Sequence, residues 1–136
     1  MNISRQVVIL SAETGNATFE GNRQRTENLE ACLNDLNLTF KRGTGVYKGT
    51  QETSFVVIVN NETDIEVLRD FAFKSFAQDS ILHVDSNQEA VLIFNDGTRE
   101  QLGRLEQVNR EIATSRDSYT ILDDKYFVTN KRNAAN

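Results

Sequence analysis

The sequence predicts an α+β domain whose secondary structure elements follow the order β-α-β-β-α-β. Three observations support this prediction: short continuous apolar runs suited to strands, two stretches with helical periodicity, and polar reversals between them. The chain has 136 residues, of which 38% are hydrophobic and 26% charged, so one domain over residues 1–136 is expected. This element order is the plan of a ferredoxin-like sandwich, in which two helices cover one face of a sheet.

The first strand and the first helix differ in the spacing of their apolar residues. Residues 6–11 form a continuous apolar run, which is typical of a central strand buried on both faces. A loop rich in Gly, Asn, Thr and Ser follows over residues 12–21. Residues 22–36 then place apolar side chains at positions i, i+3, i+4 and i+7, which predicts an amphipathic helix. These side chains are Leu29, Cys32, Leu33 and Leu36.

A hairpin is predicted after the first helix. Residues 38–47 indicate a strand that is broken by Gly43 and Gly45. Residues 54–59 form a second buried strand, and the polar residues 49–53 predict a loose, glycine-rich tip between the two.

The second helix is predicted to begin at Thr63, because Thr63 and Glu66 have the spacing of a capping box. Its apolar stripe should face the sheet. The stripe consists of Ile65, Leu68, Phe71, Ala72 and Phe76.

The remaining strands become harder to recognise toward the C-terminus. Strands are predicted over residues 80–84 and 90–94, and a turn leads from the second into an extended segment that ends near Val108. Beyond this segment the alternation weakens. We therefore expect the β-α-β-β-α-β elements to be followed by one or two added strands, in a ferredoxin-like core over about residues 6–108 with a C-terminal extension over residues 109–136.

One face of the predicted sheet lacks a cover. Two helices should pack on the other face. Residues 56–59 are all apolar, so this strand presents apolar side chains to both faces of the sheet. For so small a chain, a second subunit is the economical way to bury this surface. The pattern therefore predicts a homo-oligomer.

Composition excludes several classes of partner and cofactor. Twenty acidic residues against 15 basic ones give a net charge of −5, which argues against nucleic acid as a partner. No apolar run approaches the length of a membrane span, and the N-terminus lacks the apolar core of a signal peptide, so no membrane is expected and a cytoplasmic location is predicted. With one Cys and one His, the chain has no Cys/His metal cage, and no metal or cofactor is predicted.

No familiar catalytic motif is present, so candidate site residues come from their positions. Glu52 ends the glycine-containing reversal before a strongly apolar strand, where a carboxylate could face a subunit boundary or simply lie in solvent. Tyr47, on the other side of the reversal, could stack on a ligand or cap the hairpin. Asp79 could support a pocket or terminate the second helix. Arg23 lies at the start of the first helix, where an anion could bind or the residue could be solvated.

Several short motifs together resemble the bacteriophage S-adenosylmethionine (SAM) lyases, which have long been described as SAM hydrolases. The resemblance covers about residues 6–108 and includes an arginine-bearing start of the first helix. The motifs are Ser11-Ala12, Gly45-Val46-Tyr47, Glu52-Thr53 and, most specifically, Gln78-Asp79-Ser80-Ile81-Leu82.

The resemblance implies a ferredoxin-like, PII-like fold and a homotrimer with active sites between subunits. It implies that SAM is cleaved to methylthioadenosine and homoserine lactone by attack of the substrate carboxylate on its own γ-carbon, without cofactor or metal. Glu52 would be the catalytic residue. The implied substrate-binding residues are Tyr47, Asp79, Gln78, Ser11 and Arg23. Removal of SAM in the host cytoplasm would counteract host restriction-modification.

Two non-enzymatic alternatives stay open at the level of sequence. One is a phage anti-defence protein that binds a nucleotide ligand or a host protein without chemistry. The other is a PII-like regulator that uses the reversal over residues 43–53 as a signalling loop. A lyase converts its ligand, whereas either alternative releases it unchanged.

Overall fold

The computed structural model describes residues 5–131, and these residues form a closed antiparallel barrel of eight strands with helices on its outside. The strands are β1 (Val7–Leu10), β2 (Phe40–Tyr47), β3 (Thr50–Ile58), β4 (Ser80–Val84), β5 (Glu89–Phe94), β6 (Arg99–Val108), β7 (Ser118–Leu122) and β8 (Lys125–Asn130). The helices are α1 (Phe19–Asp35), α2 (Glu62–Asp70), which continues into a π-helical turn (Phe71–Ser75), and the short α3 (Arg110–Thr114).

The predicted ferredoxin-like (PII-like) sandwich is wrong. The strands follow the order β1-β3-β2-β7-β8-β6-β5-β4 around the barrel, and β1 pairs with both β3 and β4. In a ferredoxin-like sheet, β2 and β4 would be the two edge strands. Here β2 pairs with β7 and β4 pairs with β5, so both edges are occupied and the sheet closes on itself.

The barrel wall separates two apolar clusters, which we call the outer core and the inner core. The outer core lies between the wall and the helices, and it includes Val8 and Leu10 of β1 together with Leu29 of α1. The inner core fills the barrel. It comprises Val7, Ile9, Val56, Val84, Ala90, Leu105, Leu122 and Phe127.

The prediction that the first strand is buried on both faces is confirmed, because Val7, Val8, Ile9 and Leu10 are each at most 8% exposed. The argument that the second face needs a second subunit fails. Strands β5 to β8 of the same chain curl round to cover that face, and their side chains complete the inner core.

The β2–β3 hairpin is long, continuous and tightly closed. All eight residues of β2 pair with β3, and the turn residues Lys48 and Gly49 have φ values of 49° and 82°, as in a two-residue type I′ turn. The predicted break in β2 and the loose tip are therefore wrong. Gly43 allows β2 to lie close to β7, since a Cβ at this position would lie 2.8 Å from the carbonyl oxygen of Ile121 in β7.

The N-cap of helix α2 lies two residues before the predicted one. Its N-cap is Asn61, whose side chain accepts a hydrogen bond from the Asp64 N–H at 2.9 Å, so the predicted Thr63 cap is wrong. At the other end the helix widens into the π-helical turn, and Ala77 follows with a φ of 51°. This irregular exit determines the direction in which the chain enters β4.

The C-terminal residues carry a larger part of the fold than the sequence pattern indicates. Strand β7 pairs with β2 and β8 pairs with β6, joined by a tight turn in which Asp123 and Asp124 have φ values of 51° and 61°. Of the predicted extension, residues 132–136 lie outside the described residues. Across residues 5–131 no helix has the length and apolar character to cross a membrane.

Candidate active site

One end of the barrel gathers several of the predicted site residues, and we call this end the mouth. Leu10, the last residue of β1, pairs with Phe55, so β3 extends beyond β1 and carries Glu52 past its end. Side chains alternate along β3, so Glu52 shares the inward face of Val56 in the inner core. The mouth is lined by Ser11, Gly45, Glu52 and Thr120.

The loop after β1 is attached to the backbone beside Glu52. The Ser11 hydroxyl donates a hydrogen bond to the Thr53 carbonyl oxygen at 2.9 Å and accepts one from the Glu13 N–H at 3.1 Å. The Glu13 carboxylate in turn accepts a hydrogen bond from the Thr53 N–H at 2.5 Å. Both polar groups of the Thr53 backbone are therefore held by this loop.

Gln78 connects the same loop to the end of the second helix. Its side-chain amide donates to the carbonyl oxygen of Glu13 at 2.8 Å and to that of Phe76 at 3.2 Å. Its backbone N–H donates to the carbonyl oxygen of Ala72 in the π-helical turn at 2.9 Å. The irregular exit of α2 thus orients Gln78 toward the site.

Arg25 binds the loop from the side of α1. Its guanidinium donates to the carbonyl oxygen of Ala12 at 2.6 Å and to that of Phe76, and it lies 5.8 Å from the centroid of the Phe76 ring. Further along the loop, the Asn22 side chain forms hydrogen bonds with both the N–H and the carbonyl of Thr14. Helix α1 therefore shapes the loop that carries Ser11.

Glu52 is in an unfavourable electrostatic position in the isolated chain. Although its side chain is exposed by surface area, desolvation by surrounding protein atoms raises the pKa of its carboxyl, and the negative charge of Glu13 raises it further. A hydrogen bond with the Ser11 hydroxyl opposes this rise. That hydroxyl has a single proton, and both the Thr53 carbonyl and the Glu52 carboxylate lie within its reach. A cation placed here would relieve the repulsion.

The residues that flank Glu52 across the barrel wall are small. Gly45 pairs directly with Glu52, and a Cβ at Gly45 would lie 2.9 Å from Ser54 Oγ and 3.6 Å from Glu52 Cγ. On the other side of β2, Thr120 pairs with Gly45 and shares its inward face. Barrel mouths are a common place for small-molecule sites, and this one combines restricted space with negative charge.

The remaining predicted site residues lie apart from this hydrogen-bonded group. Tyr47 is 61% exposed, next to the hairpin turn, with Lys48 Nζ 5.4 Å from the centroid of its ring. Asp79 is exposed, and its carbonyl accepts from the Asn95 N–H at 2.9 Å. Arg23 lies on the outer face of α1, where Glu20 and Glu27 accept its hydrogen bonds at 2.8 and 3.1 Å.

Metal-ligating side chains are scattered. Within the described range, no group of three or more His, Cys, Asp or Glu residues is placed to hold a metal ion.

Comparison with known families identifies the class of enzyme to which the chain belongs. A profile described as the S-Adenosylmethionine lyase family matches residues 8–130, which is most of the chain. The chain belongs to the S-adenosylmethionine lyase family. This confirms the predicted family and the prediction that the protein is a lyase acting on SAM, in preference to a non-enzymatic binding protein or regulator. No curated protein matches the sequence.

The lyase match also extends beyond the predicted resemblance, since it includes β7 and β8. Two residues of the hydrogen-bonded group beside Glu52 were not predicted from the sequence, namely Glu13 and the inward-facing Arg25. A signal for Arg25 was present, because it precedes Leu29 and Leu33 at intervals of four and therefore shares their buried helix face. Arg23 does not share it. No comparable periodicity marks Glu13, because it lies in a loop.

Proposed function

We propose that this lyase converts SAM to methylthioadenosine and homoserine lactone by intramolecular displacement. The substrate carboxylate attacks the γ-carbon, a new C–O bond forms, and the C–S bond breaks. The bonding electron pair passes to sulfur, which leaves as a neutral thioether, so no proton transfer is needed. The substrate thus carries both its nucleophile and its leaving group, and the protein has only to fold and dehydrate it.

The observation that carries this proposal is the Glu52 carboxylate in the mouth, with Glu13 beside it. SAM has two cationic groups, the sulfonium and the α-ammonium. The sulfonium loses its charge in the transition state, so a carboxylate at sulfur would favour the ground state. The ammonium keeps its charge throughout. We therefore assign Glu52 to the ammonium or to the ribose hydroxyls, where it holds the chain curled without opposing the reaction.

Positioning and dehydration supply the rate enhancement in this scheme. A well-oriented intramolecular reaction gains roughly 7–11 kcal/mol from restricted motion alone. The substrate carboxylate and sulfonium neutralise each other in the transition state, so exclusion of water raises the energy of the charged ground state more than that of the transition state. Ser11 and Gln78 support the loop that encloses this space.

The other sequence-predicted residues are assigned peripheral roles. Tyr47, exposed at the hairpin turn, would contact the adenosine or the amino-acid portion of SAM. Asp79 and Arg23 would act at the rim, Asp79 from the segment that follows Gln78 and Arg23 from the first turns of α1.

A homotrimer with active sites between subunits forms part of the proposal. Its support is the exposure of two aromatic side chains, since Phe19 is 84% and Tyr47 61% exposed in the single chain. A neighbouring copy would cover these rings and exclude water from Glu52. Light scattering coupled to size-exclusion chromatography should give the mass of a trimer, and a fully active monomer contradicts this part.

The biological role proposed is removal of the methyl donor from the cytoplasm of a phage-infected host. Restriction-modification enzymes that depend on SAM would then lose their cofactor. Expression of the protein should raise phage plating on a host whose restriction enzyme requires SAM, and the Glu52→Gln variant should not. Equal plating with both proteins contradicts this role.

Product analysis in ¹⁸O-labelled water tests the reaction itself. The protein mixed with SAM alone should yield methylthioadenosine and homoserine lactone. Homoserine formed by later opening of the lactone should carry ¹⁸O in its carboxylate, because water attacks the carbonyl. Label in the homoserine hydroxyl would instead show direct attack of water on the γ-carbon and overturn the lactone route. Glu52→Gln is the matched control for background decay.

A further inference from the structure

We propose that Glu13 is a positioning residue of the lyase reaction, which fixes Glu52 through the Thr53 backbone and keeps a second negative charge beside it. This inference rests on the proposed function of Glu52. It concerns a residue that acts through Glu52 and does not itself hold the substrate.

The geometry gives Glu13 an unusual number of connections for a loop residue. Its carboxylate accepts from the Thr53 N–H, its N–H donates to Ser11 Oγ, and its carbonyl accepts from the Gln78 side chain. Thr53 follows Glu52 on β3, so the contact with Glu13 fixes the backbone from which the Glu52 side chain extends.

The charges around Glu52 come from several elements. Glu13 from the β1–α1 loop raises the pKa of Glu52. Arg25 of α1 is directed to the carbonyl oxygens of Ala12 and Phe76, and Lys48 of the hairpin turn lies over the Tyr47 ring. Strand β2 places Gly45, without a side chain, opposite Glu52. Within residues 5–131, the contacts of Arg25 and Lys48 thus lead away from Glu52.

The pair of carboxylates makes substrate binding sensitive to pH. In the empty site, Glu13 opposes ionisation of Glu52, whereas the ammonium of a bound substrate favours it. Binding on the acid side therefore requires Glu52 to release a proton. The value of kcat/KM should fall as the pH drops through the pKa of Glu52 in the free enzyme.

Two substitutions of Glu13 separate its charge from its hydrogen bond. In Glu13→Gln the side-chain carbonyl can still accept from Thr53, so activity at the pH plateau should stay within about threefold of wild type. The acid limb of kcat/KM should move to lower pH, because the repelling charge is gone. In Glu13→Ala the anchor is lost as well, and kcat/KM should fall roughly 10- to 100-fold at every pH.

The titration of Glu52 is measured independently of turnover by ¹³C NMR of its carboxyl carbon in the substrate-free protein, assigned by its loss in Glu52→Gln. We expect Glu52 to titrate at lower pH in Glu13→Gln than in wild type. An unchanged titration and acid limb would overturn the inference, as would inactivity of folded Glu13→Gln equal to that of Glu52→Gln. Because these experiments follow SAM consumption and the empty site, they remain decisive if the labelled-water experiment rejects the lactone.

Discussion

The inner core and the mouth are built from the same strands but from different side chains. Ile9 and Val56, on β1 and β3, lie in the inner core and are at most 8% exposed. Two positions beyond Ile9 the chain has Ser11, and four positions before Val56 it has Glu52. A short step along one barrel wall thus changes a packed apolar interior into a polar site with negative charge.

This contrast shows how the fold separates stability from chemistry. Burial of aliphatic side chains in the inner core stabilises the barrel, whereas two neighbouring carboxylates and small side chains at the mouth do not. The mouth can keep this arrangement because the strands that carry it are fixed by the core beneath. Substitutions at the two levels should therefore have different effects.

The largest effect on activity is expected from Glu52→Gln. Loss of the charge that holds the substrate cation should lower kcat/KM at least about 100-fold. The same variant should melt about 1–2 °C above wild type at pH 7, since a repulsion between partly exposed charges is worth only tenths of a kcal/mol. Methylthioadenosine formation and thermal melts measure the two effects. A variant with near wild-type turnover would remove Glu52 from the mechanism.

The largest effect on stability is expected in the inner core. Leu105, 5% exposed on β6, lies in the inner core, and Leu105→Ala should lower the free energy of unfolding by about 2–5 kcal/mol. Urea titration measures this loss, while turnover of the folded protein should stay near wild type. Ile112→Ala, at a 44% exposed position of α3, is the control and should change stability by less than about 0.5 kcal/mol.

An intermediate effect on activity is expected from Gly45→Ala. The added methyl group would lie 2.9 Å from Ser54 Oγ, which must move, and would fill the space 3.6 Å from Glu52 Cγ, so kcat/KM should fall roughly tenfold with little change in melting temperature. Gly43→Ala is the matched comparison. It meets the backbone of Ile121 and should instead cost stability, by about 1–3 kcal/mol. Full activity in Gly45→Ala would show that the space beside Glu52 is not used.

A smaller effect is expected in the pH dependence of stability. The pKa of Glu52 is raised in the folded protein, so the group favours folding while it is protonated, and this contribution is lost as the pH rises through its folded-state pKa. The difference in melting temperature between Glu52→Gln and wild type should therefore be small near about pH 4 and reach its full value by about pH 7. If this difference in melting temperature becomes smaller as the pH rises from about 4 to 7, the pKa of Glu52 is not raised in the folded protein.

The smallest effect is expected from Arg23→Ala. Its ion pairs with Glu20 and Glu27 are exposed, so stability should change by less than about 1 kcal/mol and turnover by less than about twofold. Arg25→Ala is the matched control and should be more damaging, because it removes charged hydrogen bonds to the Ala12 and Phe76 carbonyls. A large loss of substrate affinity in Arg23→Ala would support the sequence prediction that Arg23 binds substrate.

Strands with continuous apolar runs were predictable from the sequence. A strand that is buried on both faces is apolar at every position, and this pattern is visible without knowing which strands lie beside it. Strand β4 has the predicted bounds, and β1 and β5 differ from prediction only at their ends. Strand β3 begins four residues before its predicted start and therefore includes Glu52, which was predicted to lie in the reversal. Strands β7 and β8 gave weak signals because many of their residues, such as Tyr119 and Thr129, are only half-buried. The continuous β2 was missed because glycine usually weakens a strand, and its use for close packing is visible only when β7 lies beside it.

The sequence alone determined the alternation of buried strands and amphipathic helices, the net negative charge and membership of the SAM lyase family. Tertiary structure alone decided that the sheet closes, because closure depends on pairing between β2 and β7, which are separated by some 70 residues of chain. It also decided that Glu13 and Glu52 are neighbours. Local patterns record how each segment buries its own side chains, whereas the contacts between distant segments depend on how those segments pair across the barrel.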